Sequence, residues 1–222
     1  RRTLIKDKET ESYVEEIKEE TIYVFIDRFG YTKSIDSASY SRTSQETLDE
    51  YSYIIAMKNT DKLCIFTDKG NMYQVKAFDI PEAKIRDKGV LIQNLTNMEK
   101  ENIILYIPFE DLFESQLVFL TQSGYIKQVS GAEFETVRST LLSTKLEDDD
   151  KVVSVTPLSA AEVLSNNMKV IIITRNDLSL GFDLNEVSEL KRMSRGVRAI
   201  KLDKDDCVDF STVVESDADT FI

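Results

Sequence analysis

Four segments of the chain share one pattern of apolar and polar positions over thirteen residues. They are residues 23–35, 63–75, 117–129 and 170–182, and they align without a gap. Each begins with an apolar run (VFI, CIF, VFL or III), which is typical of a strand buried on both faces. A polar turn follows, and then a second run that alternates, so one face of that strand is predicted to meet solvent. The pattern predicts four β-hairpins and a repeat architecture.

The last position of each hairpin turn is predicted to have a positive φ angle. Glycine occupies it three times, at Gly30, Gly70 and Gly124, and aspartate once, at Asp177. Glycine adopts this conformation without steric cost, and aspartate tolerates it. We therefore expect the same turn in all four copies.

A second element recurs between the hairpins. Residues 86–95 (RDKGVLIQNL) and 193–202 (MSRGVRAIKL) share a Gly-Val pair, and residues 138–146 (RSTLLSTKL) carry Thr140 where the glycine stands in the other two. No such element is evident between Gln45 and Asp61, so the first unit is predicted to be shortened.

Acidic turns follow two of these elements, at residues 147–152 and 203–208. One unit is thus interpreted as a hairpin, a surface connection, a Gly-Val strand, an acidic turn and a further strand. That makes four strands, which is the content of one propeller blade. Carboxylates in these turns could indicate a Mg²⁺ or Ca²⁺ site. Because both clusters occupy the same place in the repeat, a shared polar turn is the better explanation, and we predict no metal site.

The composition excludes several classes of function. The chain has 222 residues, 41% of them hydrophobic, which is enough for a core, and no apolar run approaches the roughly 20 residues of a membrane helix. It contains no histidine, which rules out Ser/His/Asp and Cys/His catalysis, and no Gly-rich phosphate loop. Cys64 and Cys207 are expected to be free thiols in a reducing compartment.

Charge is unevenly distributed along the chain. The formal net charge is −12, which is unfavourable for a nucleic-acid binder, because DNA affinity comes largely from Lys and Arg. Between Lys169 and Lys201, however, seven basic residues stand against four acidic ones. Local distribution matters more than the sum, so this stretch is the strongest candidate for contact with a polyanion.

The units resemble the repeat of the C-terminal domain of bacterial type IIA topoisomerase A subunits, the family of DNA gyrase and topoisomerase IV. Residues 168–208 fit a whole repeat, with RGVRAIKL and DCV at the expected distances. Residues 76–92 look like the family's linker, in which an Ile-Pro or Leu-Pro pair precedes a basic segment and a glycine. Residues 1–3 (RRT) resemble the junction at which the family's coiled coil ends.

The resemblance implies an all-β fold, a β-pinwheel of four-stranded blades with about four repeats in this chain and strand exchange between neighbours. Residues 1–20 would be the connecting segment from the preceding coiled-coil region, part extended and part loop, and residues 21–222 the β-pinwheel domain. A new strand is expected to start at residues 221–222, which would either lead into further repeats or complete a blade. The family's location would be the bacterial cytoplasm, on the nucleoid, with no membrane partner.

The implied function is an accessory domain of an ATP-dependent type IIA topoisomerase that holds and bends duplex DNA on a basic outer rim. Gyrase A subunits carry a QRRGGKG-like box in the first blade, but residues 37–48 here read SASYSRTSQETL. This absence favours topoisomerase IV, which decatenates and relaxes DNA, and leaves a divergent gyrase-like relative as the alternative. The family's catalytic tyrosine lies in an N-terminal region outside this chain, so no catalytic residue is assigned here. Tyr31 and Tyr125 are interpreted as hairpin packing residues.

The candidate DNA contacts are the basic residues beside the hairpin turns and in the Gly-Val elements. Phosphate contact by such residues would hold a duplex without reading its bases, and bending would make deformability the only sequence-dependent contribution. The candidates are Lys33, Arg42, Lys69, Lys76, Lys84, Arg86, Lys88, Lys127, Arg138, Lys145, Arg175, Lys191, Arg192, Arg195, Arg198 and Lys201.

The resemblance also implies partners beyond DNA, namely the ATPase B subunit of the enzyme and the N-terminal body of the same A subunit. This domain itself would need no cofactor, whereas the full enzyme would use ATP and Mg²⁺. A competing hypothesis is a propeller used mainly for docking on proteins, which the net charge of −12 accommodates more easily. The two differ in their expected affinity for duplex DNA and in its dependence on salt.

Overall fold

The computed structural model describes residues 18–216, and fifteen strands lie in this part of the chain. In chain order they are β1 (Thr21–Ile26), β2 (Tyr31–Asp36), β3 (Tyr53–Lys58), β4 (Lys62–Thr67), β5 (Asn71–Lys76), β6 (Val90–Leu91), β7 (Ile103–Pro108), β8 (Gln116–Thr121), β9 (Tyr125–Ser130), β10 (Thr140–Leu142), β11 (Val152–Leu158), β12 (Met168–Thr174), β13 (Ser179–Asp183), β14 (Val197–Arg198) and β15 (Val208–Glu215).

Short helices occupy several connections between the strands. The α-helices are α1 (Ser37–Ser41), α2 (Gln45–Leu48), α3 (Ile92–Leu95), α4 (Phe109–Glu114) and α5 (Ala160–Ser165), and 3₁₀ helices form at Ala77–Asp79, Gly131–Phe134 and Leu184–Glu186. The predicted N-terminal connecting segment (1–20) falls almost wholly outside the described residues. The Arg-Arg-Thr junction (1–3) and the predicted new strand at residues 221–222 fall wholly outside them.

The strands form four antiparallel sheets, and each predicted hairpin is the central pair of one of them. The orders are β3-β1-β2-β6, β7-β4-β5-β10, β11-β8-β9-β14 and β15-β12-β13. The first three sheets have four strands, and the fourth has three within the described residues. The all-β prediction of propeller-like blades is confirmed.

The hairpin turns follow one geometry, as predicted. The φ angles are +84° at Gly30, +74° at Gly70, +81° at Gly124 and +61° at Asp177. In each turn the amide of this residue donates to the carbonyl three positions earlier, at 2.9–3.1 Å. The left-handed conformation explains why only glycine and aspartate occur here.

Strand exchange changes the predicted unit. Each Gly-Val strand passes over the hairpin of its own unit and pairs with the hairpin of the preceding unit: β6 with β2, β10 with β5, and β14 with β9. The place of this strand in its own blade, predicted from the repeat, is therefore wrong, and the strand exchange between neighbours implied by the resemblance is confirmed. The connection from the second hairpin is led onto β2 by two backbone bonds, from Ser34 N–H to Pro81 O at 2.9 Å and from Ala83 N–H to Ser34 O at 3.1 Å. Pairing there satisfies an edge that would otherwise lack partners.

The first strand of each inner hairpin is buried on both faces because each of its sides packs into a different core. In the second sheet, Ile65 faces the cluster shared with the first sheet, and Phe66 faces the cluster shared with the third. Phe66 meets Phe119 of the third sheet edge-on, with ring centroids 5.9 Å apart. A third cluster joins the third and fourth sheets. This confirms the interpretation of the apolar runs VFI, CIF and VFL, but not of III in β12, where buried and half-buried residues alternate.

The second hairpin strands of the first three sheets differ from their prediction, whereas β13 in the fourth sheet meets solvent as expected. β2, β5 and β9 are buried on both faces, although their sequences alternate. Their polar side chains turn to backbone groups of the connections that cover them, as when Gln128 Nε2 donates to Val187 O at 2.8 Å. The polar residues that alternate with apolar ones in these strands therefore form hydrogen bonds inside the protein and do not face solvent.

Neighbouring sheets contact each other through their third strands. β3 contacts β7, β7 contacts β11, and β11 contacts β15. These strands form the inner side of the assembly, so the Gly-Val strands β6, β10 and β14 lie at the opposite, outer edge of their sheets. In the shortened first unit, α1 and α2 stand where a Gly-Val element was missing from the sequence, and β3 follows them.

Other expectations concern the cysteines and membrane-spanning segments. Both cysteines are free, as predicted, with Cys64 buried and Cys207 partly buried. Burial raises the pKa of the Cys64 thiol to about 12. Among residues 18–216, none of the helices has the length and hydropathy to span a membrane.

Candidate nucleic-acid interface

Two basic loops lie at the outer edge, each immediately before a Gly-Val strand. We call residues 84–89 the first rim loop and residues 191–196 the second rim loop. They lead into β6 on the first sheet and β14 on the third sheet. Their basic side chains are exposed except for one, which is partly buried: Lys84, Arg86 and Lys88 in the first loop, and Lys191, Arg192 (partly buried) and Arg195 in the second.

A glycine fixes where each rim loop meets its sheet. Gly89 and Gly196 have φ angles of +77° and +101°. A Cβ on Gly89 would lie 2.4 Å from Thr32 O, and one on Gly196 would lie 2.5 Å from Ile126 O. Both positions thus require a left-handed conformation and a close backbone approach, which only glycine permits. The glycine of each Gly-Val pair is therefore the residue at which the rim loop packs against the backbone of the sheet.

Two predicted contact residues are buried beneath these loops. Lys33 and Lys127 are each 1% exposed. The Lys33 Nζ donates to Ile85 O and Asp87 O, both at 2.6 Å, and to Tyr51 Oη at 2.8 Å. Because its donors are used inside the protein, Lys33 cannot reach a phosphate, and its prediction as a direct DNA contact is wrong.

Lys127 repeats this arrangement on the third sheet. Its Nζ donates to Arg192 O at 2.6 Å and to Ser194 O at 2.8 Å. The prediction of direct DNA contact is wrong for Lys127 for the same reason. The sequence placed both lysines on a solvated face of an alternating strand, whereas the rim loop covers that face.

Two tyrosine rings contact basic side chains of the rim loops. The Lys88 Nζ lies 3.8 Å from the centroid of the Tyr31 ring, and the Arg195 guanidinium lies 4.3 Å from that of Tyr125. Arg198, in β14, donates to Tyr125 Oη at 3.1 Å. That hydrogen bond and the nearby guanidinium charges lower the pKa of Tyr125. The prediction that these tyrosines pack within the hairpin is thus extended, because they also orient basic side chains.

Acidic and backbone groups of the segment between β9 and β11 reach the second rim loop. Lys191 pairs with Glu133 at 2.7 Å, Arg195 pairs with Glu147, and Arg192 donates to Leu142 O. Exposed ion pairs of this kind contribute little to stability. A phosphate can therefore replace either carboxylate at little cost.

The remaining candidates do not join either rim loop. They are exposed, but they are distributed among the α1–α2 connection, hairpin turns, strand ends and the other Gly-Val segments: Arg42, Lys69, Lys76, Arg138, Lys145, Arg175 and Lys201. The second and fourth sheets have no equivalent of the buried lysine. Tyr73 stands at that position in the second sheet and donates to Glu101 Oε1 at 2.9 Å, and Leu180 stands there in the fourth.

Sequence reasoning overlooked the signal that distinguishes the two basic edges. The first and third hairpins read Gly-Tyr-x-Lys after the turn, at residues 30–33 and 124–127, and the other two do not. It also overlooked Tyr51, which comes from the shortened first unit and donates to Ile85 O at 3.1 Å. Only the fold shows that this residue lies beneath the first rim loop.

The acidic turns have a structural role. Asp150 Oδ1 accepts from Ser123 N–H at 2.9 Å, and Asp206 Oδ1 accepts from Asn176 N–H at 3.2 Å. In the described part of the chain, no three His, Cys, Asp or Glu side chains are grouped so as to hold a metal ion. The equivalent bonds show that these carboxylates tie the acidic turn of one unit to the hairpin turn beside it.

Titration of Lys127 provides a test of its burial. Removal from solvent, with a smaller contribution from the charge of Arg192, lowers the pKa of Lys127 from 10.5 to about 8. Between these values the unfolded chain binds more protons than the native chain, so this group makes stability rise with pH. We expect the stability advantage of the wild type over Lys127→Met to grow by about 2–3 kcal/mol from about pH 7 to about pH 10. Urea unfolding of both proteins measures it, and a difference independent of pH would contradict a buried, titrating lysine.

Comparison with known proteins places these repeats in a wider group. A sequence model for a family described as the DNA gyrase C-terminal domain, beta-propeller, matches residues 61–100, 115–159 and 169–213. The A subunit of DNA gyrase from Haloquadratum walsbyi is 30% identical over 240 residues, covering 100% of this chain and 27% of that protein. The A subunit of DNA topoisomerase 4 from Streptococcus pneumoniae is 30% identical over 203 residues, covering 86% and 24%. The chain thus spans about a quarter of the length of these relatives.

Solved structures share the same arrangement of sheets. The C-terminal domain of a DNA topoisomerase IV superposes with a TM-score of 0.78 and 25% identity, covering 90% of this chain and 63% of that one. The E. coli ParC C-terminal domain gives 0.69 and 13% identity, covering 88% and 80%. A DNA gyrase A C-terminal domain gives 0.53 and 22%, covering 86% and 64%. The last two show likeness of fold alone.

Proposed function

Because the chain belongs to the DNA gyrase C-terminal β-propeller family, we propose that it is the part of a type IIA topoisomerase A subunit that holds and bends duplex DNA on its outer rim. The observation that carries this proposal is the pair of rim loops. They present basic side chains at the same outer edge of two sheets, in a chain whose formal net charge is −12. Local accumulation of cations at one edge of an acidic protein favours a polyanion there over the rest of the surface.

Contact with DNA would be made to phosphates and not to bases. The cations are Lys and Arg side chains on short loops and a two-residue strand, without a helix or ribbon of the size that enters the major groove. Such contacts position a duplex without reading its sequence. Sequence preference would then come from how readily the DNA bends between the two rim loops.

Topoisomerase IV is the proposed enzyme of origin, with decatenation and relaxation as its reactions. Two observations support it. Residues 37–48 lack the glycine- and arginine-rich box of gyrase and form α1 and α2. The superposition with a topoisomerase IV domain has a TM-score of 0.78 at 25% identity. The alternative, supported by the 30% identity to the gyrase relative, is a gyrase domain without the wrapping box.

The remaining partners of the proposed enzyme lie outside the chain. The catalytic tyrosine would belong to the N-terminal body of the same polypeptide, and ATP and Mg²⁺ would be used by that body and the ATPase B subunit. This assignment is in keeping with a chain that spans about a quarter of its relatives. The enzyme would act in the cytoplasm, on the nucleoid.

Docking on a protein partner is the second candidate function. The formal net charge of −12 favours it, since an acidic ring would attract a basic surface. It predicts no measurable affinity for duplex DNA. The two functions therefore separate in one binding experiment.

Salt dependence of DNA binding tests the proposed function. The 222-residue chain is expected to bind a duplex of random sequence at about 50 mM salt and to lose affinity steeply as salt rises. The two rim loops have three cations each, so the slope of log K against log salt should be roughly −3 to −5. Fluorescence anisotropy with two unrelated duplexes measures it. No binding at about 50 mM salt would overturn the DNA-holding function and leave protein docking.

A further inference from the structure

We propose that Lys33 and Lys127 are positioning residues for DNA contact, each holding one rim loop so that its cations line the outer edge. This rests on the proposed function and deepens it, because it names the blades that would touch DNA and the groups that prepare them. Neither lysine would contact a phosphate, since both are 1% exposed.

The two lysines make equivalent bonds. Lys33 and Lys127 both occupy the eleventh position of the thirteen-residue hairpin segment. Lys33 donates to the carbonyls of the residues four and two positions before Gly89, and Lys127 to those four and two positions before Gly196. Four bonds of 2.6–2.8 Å thus recur in two parts of the molecule that are 94 residues apart in sequence. A recurrence of this detail indicates a common task.

These bonds determine where the loop backbone lies. Each rim loop also has two internal bonds. In the first, Asp87 N–H donates to Lys84 O and Lys84 N–H donates to Asp87 Oδ2, both at 2.9 Å. In the second, Ser194 donates to Lys191 O through its N–H at 2.9 Å and through its Oγ at 2.8 Å. A buried ammonium that donates to two loop carbonyls adds the strong, charge-assisted bonds that an exposed loop otherwise lacks. Without it the carbonyls would turn to water, and the loop would lose its single conformation.

The position of the loop in turn sets the position of its cations. Lys88 and Arg195 each stack on the tyrosine that lies two residues before the buried lysine, Tyr31 and Tyr125. The tyrosine thus contacts a basic side chain of the loop, and the buried lysine binds the backbone of the same loop. Holding several cations in place before DNA arrives lowers the entropy that binding must overcome.

The four blades differ at the position of the buried lysine. The second and fourth sheets carry Tyr73 and Leu180 in place of the buried lysine. Tyr73 bonds with Glu101, and Leu180 has no polar atom with which to hold a loop. The rim loops of the first and third sheets are therefore the two DNA-contact sites. The outer edge of the second sheet, which lies between them, is not an equivalent contact site.

Substitution of each lysine by methionine tests this inference. We expect Lys127→Met and Lys33→Met in the full chain each to weaken binding of a random duplex by roughly three- to tenfold and to reduce the salt slope by about 1 to 2. Lys204→Met, which removes the same charge from an exposed site outside the candidate set, should change affinity by less than about twofold. An unchanged slope in both lysine variants would overturn the inference. Because the two lysines lie on different sheets, the test stands even if one variant fails to fold.

A double-mutant cycle separates positioning from a general loss of stability. If Lys127 acts through its loop, Lys127→Met should weaken binding less in an Arg195→Gln background than in the wild type. Fully additive effects would overturn the inference. Hydrogen–deuterium exchange of residues 191–196 gives a readout that needs no DNA, and we expect faster exchange in Lys127→Met than in Lys204→Met. Unchanged exchange would also overturn it, whereas absence of DNA binding by the wild type would overturn only the proposed function.

Discussion

Replacing Arg192, Arg195 and Arg198 together by glutamate is expected to reduce affinity for duplex DNA by roughly a hundredfold or more at low salt. The three guanidinium groups lie on the second rim loop and β14, and two of them surround the Tyr125 ring. Reversing the charge of these three side chains removes up to three phosphate contacts, and the new carboxylates repel the same phosphates. The salt slope should fall by about 3, and anisotropy titrations at several salt concentrations would measure both quantities.

The fold is expected to survive this substitution. The arginines are exposed or partly buried, and their partners are Glu147, a surface carbonyl and the Tyr125 hydroxyl. Solvent-exposed interactions of this kind contribute little to the stability of the fold. The matched control reverses Lys100, Lys151 and Lys204, which are exposed, lie outside the candidate set and change the net charge equally. Equal losses of affinity in the two triple variants would show that net charge alone, and not the rim, governs binding.

Gly131→Ala is expected to destabilise the protein by about 3 kcal/mol or more. Gly131 is buried at the start of the 3₁₀ helix Gly131–Phe134, and a Cβ there would lie 1.7 Å from Leu112 O and 2.8 Å from Ser115 O. Relief requires α4 to move away, which would pull Leu112 from the core between the second and third sheets. In a chain of this size the melting temperature should fall by roughly 6–12 °C, measured by circular dichroism.

Gly181→Ala is the matched control for this prediction. Gly181 lies in β13 without a left-handed φ, and its Cβ would meet only Val170 O at 3.9 Å. Reduced freedom of the unfolded chain should make this change neutral or stabilising by up to about 1 kcal/mol. A melting temperature of Gly131→Ala equal to that of Gly181→Ala would mean that α4 is not fixed against Gly131.

The repeat pattern was sufficient to predict the scaffold because each signal was local. The apolar runs, the turn glycines and Asp177 each describe a few consecutive residues, and all four hairpins form as expected. Strand exchange could not be derived in the same way. Pairing of β6 with β2 depends on where the connection after the second hairpin runs in space, and the bonds between Ser34 and residues 81–83 that direct it join distant positions.

The candidate site was predictable in composition but not in role. The sequence identified most of the exposed cations, and it also included Lys33 and Lys127, because an alternating strand normally has a solvated face. Both lysines serve the backbone of a loop more than 50 residues away, at Ile85 and at Arg192. A basic residue that contacts a ligand and one that supports a loop have the same sequence signature, and only burial separates them.

Exchange of the Gly-Val strands has a consequence for cooperativity. β6, β10 and β14 each come from one unit and complete the sheet of the unit before it, so opening one sheet disturbs the next. A linear array coupled in this way melts as one body, because the interface energy between neighbours exceeds what a single unit retains alone. The fourth sheet receives no exchanged strand within residues 18–216. β13 is exposed or half-buried along its whole length. Thermal fraying should therefore begin there and reach the second rim loop, which follows β13 in the chain, before it reaches the first rim loop.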